Sequence, residues 1–258
     1  MRQKKSLGQN WLIDEDLRER VLAAADVRPS DEVLEIGPGP GTLTDRLAER
    51  AGRLVAVELD GRLAARLRQR FATQPNVEIV EGDILRTDLR GLFPRGGEIV
   101  VGNIPYYLTG ALLPKLLDDP PRPRRVSLVV QKEVAERWTA PTGVSTATVA
   151  VQLYTQARLA LNLPAAAFDP PPKVDSALVV MEVRPRPALE LADGRSFLGF
   201  VERVFQFRRK QLGGSLARVT GLSPSEVAGR LQELGVDPQR RPQTLSLEEW
   251  GAVHGGIG

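Results

Sequence analysis

The chain has 258 residues, no cysteine, one histidine and a formal net charge of +3. The missing cysteines exclude disulfides, thiolate metal sites and cysteine nucleophiles, and the single His254 excludes a histidine-based zinc site. Because no apolar run approaches 18 residues and the first residues lack a signal-peptide core, we expect a cytoplasmic protein without a membrane span or a metal. Of the 35 basic residues 29 are arginine, which suits phosphate contacts, although a GC-rich genome or a hot habitat produces the same bias.

Strand-like and helix-like segments alternate through the first part of the chain. Periodicity and capping residues predict strands at 32–36, 54–58, 77–80, 98–102 and 125–130. They predict helices at 14–25, 42–50, 61–71, 111–117 and 133–138. This alternation is typical of a parallel, doubly wound α/β sheet. Segments 158–163 and 176–184 predict two more strands, which can form an antiparallel edge.

The pattern changes at the two X-Pro steps of residues 184–187, which favour an extended linker. Beyond them the chain predicts only helices, at 196–207, 210–218, 223–234 and 247–253. We therefore predict a Rossmann-like α/β domain over residues 1–184 and a small all-helical domain over 185–258.

A glycine-rich loop, residues 35–41, follows the first predicted strand and precedes a helix. Glycines there let the backbone approach a ligand closely, and the helix N-terminus can hold an anion. Glu58 ends the second strand, where a carboxylate suits ribose hydroxyls, and Asp83 ends the third, where it suits an adenine amine. Together these residues predict a nucleoside cofactor across the carboxyl edge of the sheet, and they leave NAD and S-adenosylmethionine both open.

The segment after the fourth strand, Asn103 to Tyr107, decides between these cofactors. Asn103 offers an oxygen to an exocyclic amine, Pro105 stiffens the nearby carbonyls, and Tyr106 offers a face for stacking. Two acceptors at an adenine amine localise the nitrogen lone pair, so that the nitrogen can attack a sulfonium methyl group. We therefore predict S-adenosylmethionine and methyl transfer to a base amine, driven by positioning and electrostatics.

Further residues are candidates for contact with RNA. Tyr107 and Phe168 are weaker stacking candidates than Tyr106. The Pro-rich loop 168–173 predicts a wall of the base pocket, although its sequence is also typical of a loop that only connects two elements. The target base would be flipped out or already unpaired. Basic residues beside aromatic ones predict phosphate contacts, against the alternative of a solvated helix face: Lys173, Arg208, Arg209 and Lys210.

These motifs resemble the KsgA family of bacterial ribosomal RNA small-subunit adenine dimethyltransferases. The matching segments span nearly the whole chain: 5–12, 35–39, 57–60, 103–106, 131–134, 168–177, 208–210 and 241–246. The resemblance implies an S-adenosylmethionine-dependent enzyme that dimethylates N6 of two adjacent adenosines in the 3′-terminal hairpin of 16S rRNA. It also implies action on an immature 30S subunit, late in assembly, and we expect a monomer.

The resemblance also assigns roles to single residues. It implies catalysis by Asn103, Ile104, Pro105 and Tyr106. It implies cofactor contacts at Gln9, Asn10, Leu12, Gly37, Gly39, Glu58, Leu59, Asp83, Ile84 and Asn103. Trp11 stands where the family usually has phenylalanine, which we expect to be a tolerated apolar exchange near the cofactor.

Two rival interpretations stay open. One is a resistance methyltransferase that acts on 23S rRNA of the large subunit, whose family shares the glycine loop and the Asn-Ile-Pro motif. The other is an RNA-binding assembly factor without catalysis. Segments 170–176 and 208–210 favour the small-subunit interpretation over the first rival, and the complete set of Glu58, Asp83 and Asn103 disfavours the second.

Overall fold

The computed structural model of the protein describes residues 10–117 and 121–258, apart from the side chain of Tyr106. Its contacts divide the chain into two compact units. The first unit runs to Glu136 and includes Ala157–Val183, and the second contains Arg137–Gln156 and Arg184–Gly258. In the described part of the chain, no helix is long and apolar enough to cross a membrane.

The strands of the structure begin and end close to the predicted ones. In chain order they are β1 (Trp11–Leu12), β2 (Glu32–Ile36), β3 (Arg53–Glu58), β4 (Val77–Glu81), β5 (Ile99–Asn103), β6 (Arg125–Gln131), β7 (Thr155–Leu163), β8 (Phe168–Asp169) and β9 (Ser176–Val183). The two-residue strands β1 and β8 form a separate antiparallel ladder. Neither of them was predicted, because two residues are too few to show a strand periodicity.

The main sheet has the strand order β4-β3-β2-β5-β6-β9-β7. Strands β2 to β6 are mutually parallel, and β9 runs antiparallel to β6, with Ser176 opposite Gln131. The predicted parallel α/β sheet with an antiparallel element is therefore confirmed. This register brings the start of β9 to the edge at which the parallel strands end.

Helices cover this sheet and form the second unit. In chain order they are α1 (Glu15–Ala25), α2 (Thr44–Arg50), α3 (Gly61–Arg70), α4 (Leu89–Leu92), α5 (Thr109–Leu117), α6 (Lys132–Trp138), α7 (Thr146–Tyr154), α8 (Gly194–Phe205), α9 (Leu212–Thr220), α10 (Pro224–Glu233) and α11 (Leu247–Ile257). Aspartates cap the N-termini of α1 and α3: the Asp14 carboxylate accepts the N–H of Leu17 at 2.9 Å, and the Asp60 carboxylate accepts the N–H of Arg62 at 3.0 Å. Both are N-caps that fix where the chain turns from strand or loop into helix.

The core of the first unit lies against the central strands. β2, β5 and β6 are buried along most of their length, as is usual for parallel strands covered on both faces. One cluster joins Leu22 of α1 and Leu47 of α2 to Ile99 of β5. A second joins Leu12 of β1 to Phe168 of β8, among other residues, and this packing fixes the short ladder.

The second unit takes in a segment that the sequence analysis had counted with residues 1–184. Residues 137–156 belong to it because α7 packs on α8 and α11. Helix α7 was not predicted, since its threonine- and valine-rich sequence favours a strand. Its N-cap explains the helix: the Ser145 hydroxyl accepts the N–H of Thr148 at 3.2 Å.

Gly102 sets how closely β5 approaches β2, and this generates a first prediction. A Cβ atom there would lie 2.7 Å from Cδ1 of Ile104 and 2.9 Å from the carbonyl oxygen of Ile36. Since a backbone oxygen in a central strand cannot move aside, we expect Gly102→Ala to lower the free energy of unfolding by about 1–3 kcal/mol. Urea unfolding measures this change.

Gly110, inside α5, provides the matched control. A Cβ atom there would meet nothing within 4 Å, so Gly110→Ala should keep or raise the free energy of unfolding, by up to about 1 kcal/mol. Equal unfolding midpoints for the two variants would contradict the close packing of β5 on β2.

Candidate active site at the carboxyl edge of the sheet

The ends of the parallel strands open onto one cavity. Since parallel strands end at the same edge of a sheet, residues that follow different strands meet there. Most of the residues predicted from the sequence line this cavity: Asn10, Gly37, Gly39, Glu58, Leu59, Asp83, Ile84, Asn103, Ile104, Pro105, Tyr107 and Phe168.

The glycine loop after β2 has a backbone shape that favours glycine. Gly37 and Gly39 have φ angles of +66° and +60°, in the left-handed region that side chains rarely adopt. A Cβ atom on Gly37 would meet no protein atom within 4 Å, whereas one on Gly39 would lie 3.0 Å from Nε1 of Trp11. The loop therefore leaves open space at Gly37 for a ligand and lets the Trp11 indole lie against Gly39.

Glu58 ends β3 and is only 3% exposed. One carboxylate oxygen accepts the N–H of Gly39 at 2.9 Å and the other accepts the N–H of Asp60 at 2.8 Å. Burial raises the pKa of Glu58, and the hydrogen bonds from Asp60 and Gly39 oppose this rise. A carboxylate has about four acceptor positions, so two bonds to the backbone leave room for the hydroxyls of a ribose.

Asp83 lies just beyond β4 and is half-buried. Its Oδ1 accepts the N–H of Leu85 at 3.0 Å, and the other oxygen is available for an amine. Ile84 and Val57 are buried beside it, and Leu59 is 47% exposed; all three line the cavity. An acceptor next to apolar walls is the chemistry that an adenine ring requires.

Asn103 is the last residue of β5. Its Nδ2 donates to the main-chain oxygen of Asn10 at 2.7 Å, so its Oδ1 is the end of the amide that remains an acceptor. The carbonyl of Pro105 accepts the N–H of Leu108 at 2.9 Å, which leaves the carbonyl of Ile104 as the neighbouring main-chain acceptor. Two oxygens therefore lie close together in sequence at one wall of the cavity.

Two aromatic residues at the cavity differ in exposure. Tyr107 is 57% exposed, and Phe168 is 3% exposed in the core cluster that contains Leu12. Partial burial raises the pKa of Tyr107, and the negative charges of Asp83 and Glu58 raise it further. Tyr107 therefore offers the more accessible aromatic face at this cavity.

Some predicted residues do not line the cavity. Leu12 is 1% exposed and packs in the core. Lys173 is exposed on its loop. Arg208, Arg209 and Lys210 belong to the second unit, where they lie in an exposed turn between α8, which ends at Phe205, and α9, which begins at Leu212. Gln9 and the side chain of Tyr106 lie outside the described structure.

The structure also adds residues that the sequence analysis missed. Ser176 begins β9, is 2% exposed and lines the cavity. Only the antiparallel pairing of β9 with β6 brings it there, so no local sequence signal could have shown it. Ile36 and Val57 line the cavity as well, and their positions directly before Gly37 and Glu58 were a usable signal.

A known protein family matches nearly the whole chain. Residues 1–252 match the model of the family described as ribosomal RNA adenine dimethylase. The chain belongs to this family.

Similar proteins cover nearly the whole chain. A protein of Pelotomaculum thermopropionicum, named ribosomal RNA small subunit methyltransferase A, is 43% identical, over 97% of this chain and 90% of that protein. The crystal structure of the 23S rRNA methyltransferase ErmE is 31% identical, with a TM-score of 0.76, and covers 96% of this chain and 99% of that one. The structure of a dimethyladenosine transferase from Plasmodium falciparum is 25% identical, with a TM-score of 0.78, and covers 94% and 95%.

In this ribosomal RNA adenine dimethylase, a second glutamate, at the start of the glycine-rich segment, is also buried. Glu35 of β2 is 1% exposed, and one of its carboxyl oxygens has no hydrogen-bond partner among the described residues. Burial raises the pKa of Glu35 to about 8; Thr44 opposes this shift, and the charges of Glu58 and Asp45 add to it. Glu35 is therefore protonated at neutral pH.

This protonation makes stability depend on pH. The folded protein keeps the Glu35 proton up to about pH 8, whereas an unshifted glutamate releases it near 4.5. Because the folded state binds more protons between these values, the free energy of unfolding should fall as the pH rises through this window. We expect Glu35→Gln, which cannot titrate, to weaken that fall, as measured by urea unfolding from pH 5 to 9.

An exposed glutamate gives the control, since Glu190→Gln should leave the pH dependence unchanged. If Glu35→Gln and the unsubstituted protein lost stability in parallel between pH 5 and 8, Glu35 would have to be ionised in the folded state.

Proposed function

We propose that this protein is an S-adenosylmethionine-dependent enzyme that transfers methyl groups to N6 of two adjacent adenosines in the 3′-terminal hairpin of 16S rRNA, giving N6,N6-dimethyladenosine at each. The observation that carries this proposal is the orientation of the Asn103 amide, whose nitrogen is bound to Asn10 and whose oxygen is therefore the acceptor at the cavity. An acceptor pair at the end of β5 suits a primary amine on a flat base.

The residues of the cavity fit S-adenosylmethionine. Glu58 has acceptor positions left for the ribose hydroxyls, and Asp83 has one for the adenine amine. Gly37 leaves space where any side chain would project into the cavity. When bound there, the cofactor supplies an electrophilic methyl group on a positively charged sulfur.

Asn103 and Ile104 would act on the target base. If Oδ1 of Asn103 and the carbonyl of Ile104 each accept one hydrogen of the adenine amine, they draw its nitrogen away from the planar, conjugated state. The lone pair then becomes available for in-line attack. This is catalysis by oriented acceptors that need no rearrangement during the reaction, and positioning contributes the remainder.

The RNA must present an unpaired or flipped adenosine to this cavity. The exposed ring of Tyr107 offers a stacking face at the cavity, and the buried Phe168 lines the same cavity. Tyr106 remains a predicted stacking partner. The exposed cations Arg208, Arg209 and Lys210 would contact phosphates and hold the RNA without reading its sequence.

The small-subunit substrate is supported by the relative from Pelotomaculum thermopropionicum, whose name specifies that subunit, and by the sequence motifs at 170–176 and 208–210. We infer that the enzyme is a monomer and that it acts on an immature 30S subunit. We also infer that it is located in the cytoplasm, because ribosomal subunits are assembled there in bacteria.

The similarity to ErmE supports a second candidate, methylation of 23S rRNA. Both candidates use the same chemistry on an adenine amine, so the cavity does not distinguish them. They differ in which ribosomal subunit accepts the methyl group.

The first test of the function is the transfer of labelled methyl groups to immature 30S particles and, separately, to 23S rRNA. We expect label in the 30S particles and a loss of about 10²–10³-fold in rate for Asn103→Ala, the size of effect found when one oriented polar group is removed from an active site. Asn162→Ala, an exposed asparagine that does not line the cavity, should keep the full rate.

The outcomes discriminate the candidates. Label only in 23S rRNA would favour the second candidate. No label in either RNA, with small-subunit maturation still supported by Asn103→Ala in cells, would favour a binding factor without catalysis.

The exposed turn at 208–210 gives a further prediction. Replacing its three cations with glutamine removes three phosphate contacts, so the slope of log K against log salt for RNA binding should become shallower by about 2. Binding measured at several salt concentrations tests this, and methyl transfer at saturating RNA should change little.

Three arginines that already have carboxylate partners serve as the control set: Arg20, Arg28 and Arg46. Their replacement with glutamine removes the same formal charge from the chain. If both triple variants changed the salt slope equally, net charge and not the 208–210 turn would be responsible.

A further inference from the structure

The short strand β1 and the residues beside it contact three parts of the active site. The main-chain oxygen of Asn10 accepts Nδ2 of Asn103 at 2.7 Å. The indole of Trp11 lies against Gly39 of the glycine loop, and Leu12 pairs with Phe168 of β8. One segment of three residues therefore joins the cofactor loop, the amide acceptor and the wall of the base pocket.

The contact with Asn103 selects between two orientations of its amide. The oxygen and the nitrogen of a carboxamide have nearly the same shape, so a rotation of 180° about its last torsion exchanges them without a change in packing. A main-chain carbonyl can only accept a hydrogen bond. Nδ2 of Asn103 lies 2.7 Å from the main-chain oxygen of Asn10 and is attracted to it. If the amide were rotated, Oδ1 would lie there instead, and the lone pairs of the two oxygens would repel each other.

We propose that the main-chain carbonyl of Asn10 is a positioning group for methyl transfer: it holds Asn103 with Oδ1 towards the target amine. In the opposite orientation Nδ2 would face that amine, donor against donor, and the lone pair would not be localised. This inference rests on the proposed function for its consequence in catalysis, but the hydrogen bond itself can be measured without any substrate.

Core packing keeps this carbonyl in place. Leu12 is 1% exposed in the cluster that includes Val129 and Phe168. The N–H of Ile13, directly after β1, donates to the carbonyl of Ala167 at 2.9 Å. Asp14 then caps α1. Contacts on the C-terminal side of Asn10 thus fix the position of its carbonyl.

The chain offers an unusually clear spectroscopic test, since it contains four asparagines: Asn10, Asn76, Asn103 and Asn162. In protein labelled with ¹⁵N-asparagine, each side-chain amide gives one pair of proton signals. Asn76 is a bound reference, because its Nδ2 donates to the carbonyls of Ala48 and Ala51 at 2.9 and 3.1 Å. Asn162 is exposed and serves as the solvated reference.

We expect one amide proton of Asn103 to be shifted downfield and to exchange slowly, like those of Asn76, in the protein without cofactor or RNA. The Asn103→Ala spectrum assigns the signal. An Asn103 amide that exchanges as fast as that of Asn162 would overturn the proposal.

Leu12→Ala tests the role of β1. It removes the buried anchor of the strand, and Leu12 does not line the cavity. We expect the Asn103 proton signal to move towards that of Asn162, and the methyl-transfer rate at saturating cofactor and RNA to fall by about 10- to 100-fold, as for a small misplacement of a reacting group. Asn76 should not change.

Leu163→Ala is the matched control, since Leu163 is fully buried in the same core cluster but lies on β7. Leu163→Ala should lower the free energy of unfolding by a similar amount and leave both the Asn103 signal and the methyl-transfer rate nearly unchanged. Equal effects of the two variants on the Asn103 signal would mean a general loss of packing and would overturn the positioning role. An intact, slowly exchanging Asn103 signal in a protein that methylates no RNA would instead count against the proposed function.

Discussion

The common edge at which the parallel strands end is the constraint on which the site depends. Gly37 follows β2, Glu58 ends β3, Asp83 follows β4 and Asn103 ends β5. These residues are far apart in the chain, yet the parallel register brings them around one cavity. Since β2, β3 and β5 are buried on both faces, a shift of one strand would disturb the packing of several others. The packing of the core therefore also fixes the relative positions of these four residues.

Two glutamates at this edge show how burial divides the roles of identical side chains. Both are almost completely buried, and burial raises the pKa of each. Glu58 accepts hydrogen bonds from the N–H groups of Gly39 and Asp60, which stabilise its charged form and so keep it a hydrogen-bond acceptor. Glu35 accepts no such backbone N–H from the described residues and keeps its proton at neutral pH. A neutral Glu35 thus precedes the loop between β2 and α2, and the charged Glu58 accepts the N–H of Gly39 in that loop. With only one of the two buried acids charged, the repulsion between them is limited.

The relatives of this chain separate the chemistry from the choice of RNA. The protein named as a small-subunit methyltransferase and the 23S rRNA methyltransferase ErmE both match the chain over nearly its full length. Under the proposed function, the cavity at the carboxyl edge of the sheet binds the methyl donor and the target amine, and it does not by itself select the RNA. Recognition of the subunit must then come from surfaces that touch more of the RNA, among which the exposed turn at 208–210 in the second unit is a candidate.

The sequence by itself determined much of this protein: the parallel α/β sheet, the glycine loop, the acidic residues at strand ends and the Asn-Ile-Pro-Tyr segment. These features follow from local rules, since periodicity marks the strands and a strand's last residues define where its ligand groups lie. The tertiary structure alone decided the hydrogen bond between Asn10 and Asn103, the place of Ser176 at the cavity, the β1–β8 ladder and the packing of residues 137–156 with the C-terminal helices. Each of these joins segments that are distant in the chain, and their meeting depends on the packing of the whole core, for which no local pattern of residues carries a signal.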